Sequence, residues 1–252
     1  MKLKETENIF ILGIFLGVVG GIAALILAYF ADLTKEPIAE MKMKATNSAL
    51  KEVLPAFDNS PGQNKVVVDS VDNPSIKVAF FGAFEGGKLV GIAGQSYSPK
   101  GYSGKIQAMV GLEPKGQIRT VAVVKTKDKD GKEKSDKISA VLITEQNETP
   151  GLGTVVCGRK REVTIFSLFD DKKKEASALP PNPILDQFAG MKAGKAPWKV
   201  VKDGGKLEYM TGATISSRAV ADVVYRIAHT YQVNSKKIIA DLKANNSKKA
   251  VK

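Results

Sequence analysis

The hydrophobic pattern divides the chain into three parts. From Ile9 to Ala31 no position carries a charge, and Ile, Leu, Val, Gly, Phe and Ala dominate. As a helix rising about 1.5 Å per residue, this run reaches about 34 Å, enough to cross a hydrocarbon core. Lys35–Leu54 then reads as a helix, with Pro37 near its start and Pro55 just past its end. Short runs suited to strands follow at Lys65–Val71, Ile76–Phe84, Lys88–Ser96, Lys105–Leu112, Ile118–Lys125 and Ile138–Thr144. Turn signals at Pro61-Gly62, Gly86-Gly87 and Lys115-Gly116 punctuate the early part of this series. Strands this close in sequence, without intervening helices, predict antiparallel pairing.

After Thr214 the pattern changes period. Ala219, Val220, Val223, Val224, Ile227, Ala228 and Tyr231 form one helical stripe, opposite Arg218, Asp222, Arg226 and His229. A second short helix is predicted over Ser235–Ala244. Phe169–Lys195 is loop-rich around "LPPNPILDQFAG", and Trp198–Lys202 with Lys206–Tyr209 predicts a last hairpin about Asp203-Gly204-Gly205. The segment 126–137, almost wholly charged, predicts an exposed hairpin tip. The fold class is α+β: a transmembrane helix, then one mainly antiparallel sheet with packed helices. The predicted layout is a tail at 1–8, an anchor at 9–31, an exported domain at 32–245 and a basic tail at 246–252.

The anchor reads as uncleaved, because its apolar run is long and no small-x-small site follows Leu27. Lysines flank both sides, so basic residues hardly fix its orientation. A short tail before the span and a long domain after it favour export of the domain. Gly13, Gly17 and Gly21 share one helical face, a strip that permits close approach of another helix. No ionisable residue lies within the span, which argues against an ion path.

Charge and composition then narrow the chemistry. The net charge is +12, with concentrations at Lys172-Lys173-Lys174 and in the tail from Lys236. Neither is interleaved with aromatics, so a solvated face is favoured over nucleic-acid binding. One cysteine, Cys157, and one histidine, His229, exclude an internal disulfide and a Cys/His metal cage. Cys157 reads as a core filler and His229 as a surface residue.

Two stretches of small residues remain. "TGAT", Thr211 to Thr214, runs directly into the predicted helix, where unpaired N–H groups and the dipole stabilise an anion. Gly212 permits a sharp turn and Ala213 leaves room; alternatively Thr211 or Thr214 simply caps the helix. "ETPGLG", Glu148 to Gly153, follows a strand with two glycines and a proline, either a plain strand-ending turn or a surface for a flat ligand.

"GYSGKIQAMVGLEPKGQI", "ETPGLG" and "TGATISSRAV" together resemble the covalent FMN-binding domain family, and within it the G subunits of bacterial Rnf electron-transport complexes. The C subunits of sodium-pumping NADH:quinone oxidoreductases are related. The resemblance implies FMN joined through its phosphate to Thr214 by a separate flavin transferase. Thr211, Gly212, Ala213 and Ser217 would shape that end of the site, while Glu148, Thr149, Gly151, Leu152 and Gly153 would pack on or beside the flavin. It also implies partners: the other membrane and iron–sulfur or flavin subunits of an assembly coupling ferredoxin and NAD to ion translocation, in an inner membrane. Two departures are visible: Glu208 stands where the family has an aspartate, and Gln146 where it often has a histidine. A quinone-reductase subunit, or a flavin-free anchored binding or assembly protein, remain as alternatives.

Overall fold

The computed structural model describes residues 3–127, 133–159, 179–194 and 198–250. It resolves into two compact units, Met1–Ala45 and Thr46–Lys252. The first consists of most of α1 (Leu3–Val53). From Ile9 to Ala45 every residue of this helix is exposed, and its most apolar window has a mean hydropathy of 2.8 with none of it buried. The segment is long and apolar enough to cross a membrane. The helix predicted to begin at Lys35 is not separate, because α1 runs through Pro37. Proline removes one backbone donor, but the strong helix formers around it, such as Glu36, Ala39, Glu40 and Met41, carry the helix past that single gap.

The second unit is built on a five-stranded antiparallel sheet in the order β1-β2-β3-β4-β7. Its strands are β1 (Lys65–Asp69), β2 (Lys77–Glu85), β3 (Lys88–Gly101), β4 (Gly104–Leu112) and β7 (Val141–Glu145). Side chains alternate between its faces. Val78, Phe80 and Phe84 of β2 point to one face, with Ile92 of β3 and Ile106, Ala108 and Val110 of β4, under α4 (Thr214–Ala250). Phe81, Ala83, Ala93 and Met109 point to the other, where Ala49, Leu50, Val53 and Leu54 cover them. A sheet covered on both faces explains why β2 is buried almost continuously. Gly94 admits α4 closely: a Cβ there would lie 2.3 Å from Ile227 Cγ2.

Several sequence expectations need correction. The run Ile138–Thr144 is two strands. β5 (Thr120–Lys127) and β6 (Glu133–Ser139) form a separate two-stranded ribbon, and β7 joins the main sheet after a bend at Ala140. The partner switch occurs because Ala140 spends its carbonyl on Gly111 N (2.7 Å) and its amide on Arg119 O (2.8 Å). The charged hairpin is present, with Lys127 opposite Glu133 and its tip outside the described residues. Lys172-Lys173-Lys174 also lie outside them. Within the stretch read as loop, α2 (Gly153–Cys157) precedes and α3 (Pro183–Asp186) interrupts it.

The last predicted hairpin is instead a 3-10 turn at Val201–Asp203 closed by a single parallel bridge, Val200 to Leu207. Gly205 N reaching back to Val200 O at 3.0 Å folds the chain too tightly for two antiparallel strands. The helix predicted over 235–244 is the continuation of α4. No Gly or Pro interrupts it, and Asn234 donates to Thr230 O (3.1 Å) rather than breaking the helix. The supposed polar stripe of α4 is also not uniformly solvated. Arg218 is exposed, but Arg226 is buried, donating to Tyr97 O and to Asp222 Oδ2 (2.8 Å). Ser98 and Lys100 of β3 supply further donors to Asp222, at 2.7 and 2.8 Å, so Asp222 and Arg226 pack against the end of β3. His229 is partly buried, 3.0 Å from Asp72 Oδ1 and stacked on Tyr225.

Candidate functional site

The two small-residue turns lie side by side. The first leaves β7 and enters α2, with Gly151 at φ 80°. The second enters α4, with Gly212 at φ 86°. Each glycine occupies the left-handed region that side-chain-bearing residues avoid. Ala213 N donates to Met210 O (3.0 Å), closing the second turn, and Ser217 N donates to Ala213 O (3.0 Å), starting the helix.

Behind each turn sits a buried polar hub. Ser217 Oγ donates to Ala213 O (3.0 Å) and accepts from Met210 N (3.2 Å). Asn182 Nδ2 donates to the carbonyls of Val155 (3.0 Å), Val156 (3.3 Å) and Gly158 (2.7 Å), while its Oδ1 accepts from Ile184 N and Leu185 N. One side chain thus ties α2 to the start of α3. Arg159 adds a second tie, with Nη2 2.8 Å from Asp186 Oδ1 and with donors to Val141 O and Pro180 O. Burial lowers its pKa, and the bond and charge of Asp186 offset part of that.

Between the turns lies a cleft of ≈ 510 Å³. Its lining is Tyr102, Glu148, Thr149, Leu152, Gly153, Lys202, Gly212, Ala213, Thr214, Ile215, Ser216 and Arg218. Seven of the residues singled out from sequence therefore meet here: Glu148, Thr149, Leu152, Gly153, Gly212, Ala213 and Thr214. Thr211 and Gly151 belong to the turns but not to the lining, and Ser217 is turned inward to its hub. The Gly151 amide, a candidate donor to a flat ligand, is already given to Thr154 Oγ1 (2.9 Å).

Thr214 is half-buried in the first turn of α4. Among the described residues neither its hydroxyl nor that of Thr211 makes a hydrogen bond, so helix capping does not account for either. Ser217 holds the turn instead. Arg218, one turn further along α4 on the same face, is held by Asp203 (Nε to Oδ2 2.7 Å), which keeps the Asp203 carboxyl below its ordinary range. With Lys202 it gives the cleft a cationic rim. Glu148 is buried in the same cleft, Oε2 accepting from Ser216 Oγ (2.6 Å) in the first turn of α4 and Oε1 from Ser103 N (3.3 Å). Tyr102, Leu152 and Ile215 form apolar walls, exposed by 68%, 43% and 44%.

Sequence reasoning missed Tyr102, Lys202, Ile215, Ser216 and Arg218 as lining. Arg218 stands four residues after Thr214, and that spacing alone puts the two on one helical face. Tyr102 lies inside a quoted motif; Lys202 carries no local signal. Cys157 is the core filler expected: burial, then the nearby charge of Glu148, push its thiol up to about 12. Gln146 bonds the Glu148 amide and does not line the cleft. Glu208 is exposed; its backbone pairs with the side chain of Gln187.

Comparison with known proteins fits this geometry. Residues 131–229 match the FMN-binding domain family, a span that holds both turns but not Tyr102. The chain is 31% identical over 222 residues to the G subunit of an ion-translocating oxidoreductase complex from Photorhabdus laumondii, covering 86% of this chain and 87% of that protein. Proteins of the same name from Pseudomonas aeruginosa (28% over 244 residues, 93% and 92% covered) and Haemophilus influenzae (28% over 219 residues, 86% of each) are also similar. The chain belongs to the family of ion-translocating oxidoreductase complex G subunits and contains that family's FMN-binding domain.

Proposed function

We propose that this protein is an FMN-carrying electron-transfer subunit of an Rnf-type, ion-translocating ferredoxin:NAD oxidoreductase, with the flavin joined through its phosphate to Thr214. The observation that carries this reading is the Thr214 side chain. Its hydroxyl stands at the mouth of a long helix, lines the cleft and has no partner among the described residues. The names of the relatives support the assembly, and favour it over a quinone-reductase subunit or a flavin-free binding protein.

The residues present fit the group. The cleft volume lies within the range of about 300–1,000 Å³ common to small-molecule sites. Its lining combines the Thr214 hydroxyl, the cations Lys202 and Arg218, apolar walls and the Glu148 carboxyl, groups suited to a phosphate ester and a flat ring system. Thr214 Oγ1 would supply the ester oxygen. The remaining negative charge of the phosphodiester would be met by the α4 N–H groups, Lys202 and Arg218. Gly212 and Ala213 keep that approach free of side-chain bulk, and Tyr102, Leu152 and Ile215 would shield the ring from water. When bound, the flavin supplies one- and two-electron redox chemistry that side chains lack.

In the proposed layout residues 1–8 are cytoplasmic, 9–31 cross the inner membrane and 32–245 form the exported domain, with 246–252 as a basic tail. Outside the cytoplasm a dissociable flavin would be lost by dilution, whereas an ester makes retention independent of affinity. Electrons would pass between this flavin and neighbouring redox subunits, and the ion path would lie in those subunits. To test the attachment, Thr214→Ala is expressed beside the flavin transferase. Flavin fluorescence should vanish from the denatured protein band; persistence of the signal overturns the assignment.

A further inference from the structure

Glu148 is a buried carboxylate without a cation. It is 5% exposed, both oxygens accept hydrogen bonds, and its partners are a hydroxyl and a backbone amide. Among the described residues none makes an ion pair with it, and Arg218, the cleft's guanidinium, is committed to Asp203. A buried charge left unpaired is costly, and such groups concentrate where a charge is used. The surroundings are shaped to admit it. A Cβ on Gly153 would lie 2.6 Å from Glu148 Oε2, and one on Gly101 would lie 2.7 Å from Oε1. Two glycines on different elements therefore make room for this carboxylate in the cleft wall.

We infer that Glu148 is a potential-setting residue: its fixed negative charge lowers the reduction potential of the flavin held in the same cleft. The inference rests on the proposed flavin site. When an oxidised flavin ring takes two electrons from a low-potential donor and one proton from water, it gains one net negative charge. A carboxylate in the wall of the cleft repels that charge, and in a partly dehydrated site the repulsion is several times stronger than in bulk water. Among the described residues neither cation of the cleft pairs with Glu148: Arg218 is held by Asp203, and Lys202 makes no ion pair with it.

The test is a redox titration of the full-length, flavin-loaded protein and its Glu148→Gln variant, which keeps the shape and removes the charge. The equilibrium should move at least tenfold toward the reduced flavin, an upward shift of about 30 mV for a two-electron couple. Glu148→Asp, which keeps the charge but draws it back, should shift less in the same direction, and it carries the test should the Gln variant fail to load. An unchanged or lowered potential in a folded, flavin-bearing variant overturns the inference while leaving the flavin site standing. Wild-type protein without flavin overturns both.

Discussion

The turn before α4 and the turn before α2 are made of the same small residues and share a left-handed glycine, yet they differ in what stands behind and in front of them. The α4 turn opens a long helix, presents a free hydroxyl at Thr214 and is rimmed by Lys202 and Arg218. The α2 turn opens five residues of helix and presents a buried carboxylate. Its helix is too short to carry much of a dipole, so its contribution is packing and charge placement rather than anion binding. Similar glycine signatures thus bring side chains of opposite charge to one cleft. A motif read as "small residues near a helix" does not distinguish them; the length of the following helix does.

The supports differ as well, and substitutions should expose this. Asn182→Ala removes five hydrogen bonds and strands carbonyls of α2, with an expected loss of about 3–4 kcal/mol in chemical denaturation. Gly153→Ala places a methyl against Glu148 and Ser216, where a Cβ would stand 2.6 and 2.8 Å away, costing about 1–3 kcal/mol. On the other turn Gly212→Ala meets only Leu152 Cδ2 at 3.4 Å, so its penalty is the backbone term alone, about 1 kcal/mol. Equal losses for the two glycine variants would contradict the difference in crowding.

Groups in these regions also titrate so as to weaken the fold at both ends of the pH scale. Behind the α2 turn, the Cys157 thiol is raised from its ordinary 9.0 to about 12 by burial and by the charge of Glu148. A raised folded value gives stability that is complete below pH 9 and lost as the pH climbs toward 12. Tyr231, raised by burial from 10.0 to about 12, adds to this alkaline loss. On α4, burial works to raise the Asp222 carboxyl, but bonds from Lys100 and Ser98 and the charges of Arg226 and Lys100 outweigh it. Its lowered folded value gives stability present above 3.8 and lost as the pH falls below it. Asp222→Asn should therefore flatten the acid limb of a stability–pH curve and leave the alkaline limb unchanged. The smallest effect concerns reactivity: native Cys157 should resist thiol reagents at neutral pH and react once the protein is unfolded.

Much of this was legible because local signals and tertiary needs agreed. Strands β1 to β4 are apolar runs separated by turn signals, and the apolar stripe of α4 identified its packed face. Glu148, Thr149, Gly153 and Thr214 were recognisable from two motifs well separated in the chain, which the family resemblance already assigned to one flavin. What was missed depends on long-range partners. Arg226 was placed on the polar stripe because nothing in its own helix indicates that the Tyr97 carbonyl, remote in sequence, awaits it beside Asp222. The split of Ile138–Thr144 at Ala140 is set by Gly111 and Arg119, remote in sequence. Continuation through Pro37 shows the reverse case, in which a strong local breaker loses to its flanks. Asn182, within a proline-rich stretch, resembled a loop residue and proved to be the support of the α2 turn.

The central claim concerns one bond at one side chain. Mature protein from its own host is measured by intact mass and then mapped by peptide. The account predicts a mass greater than that of the bare chain by one FMN less one water, localised to Thr214. A mass without that increment, or the increment on any other residue, would contradict it.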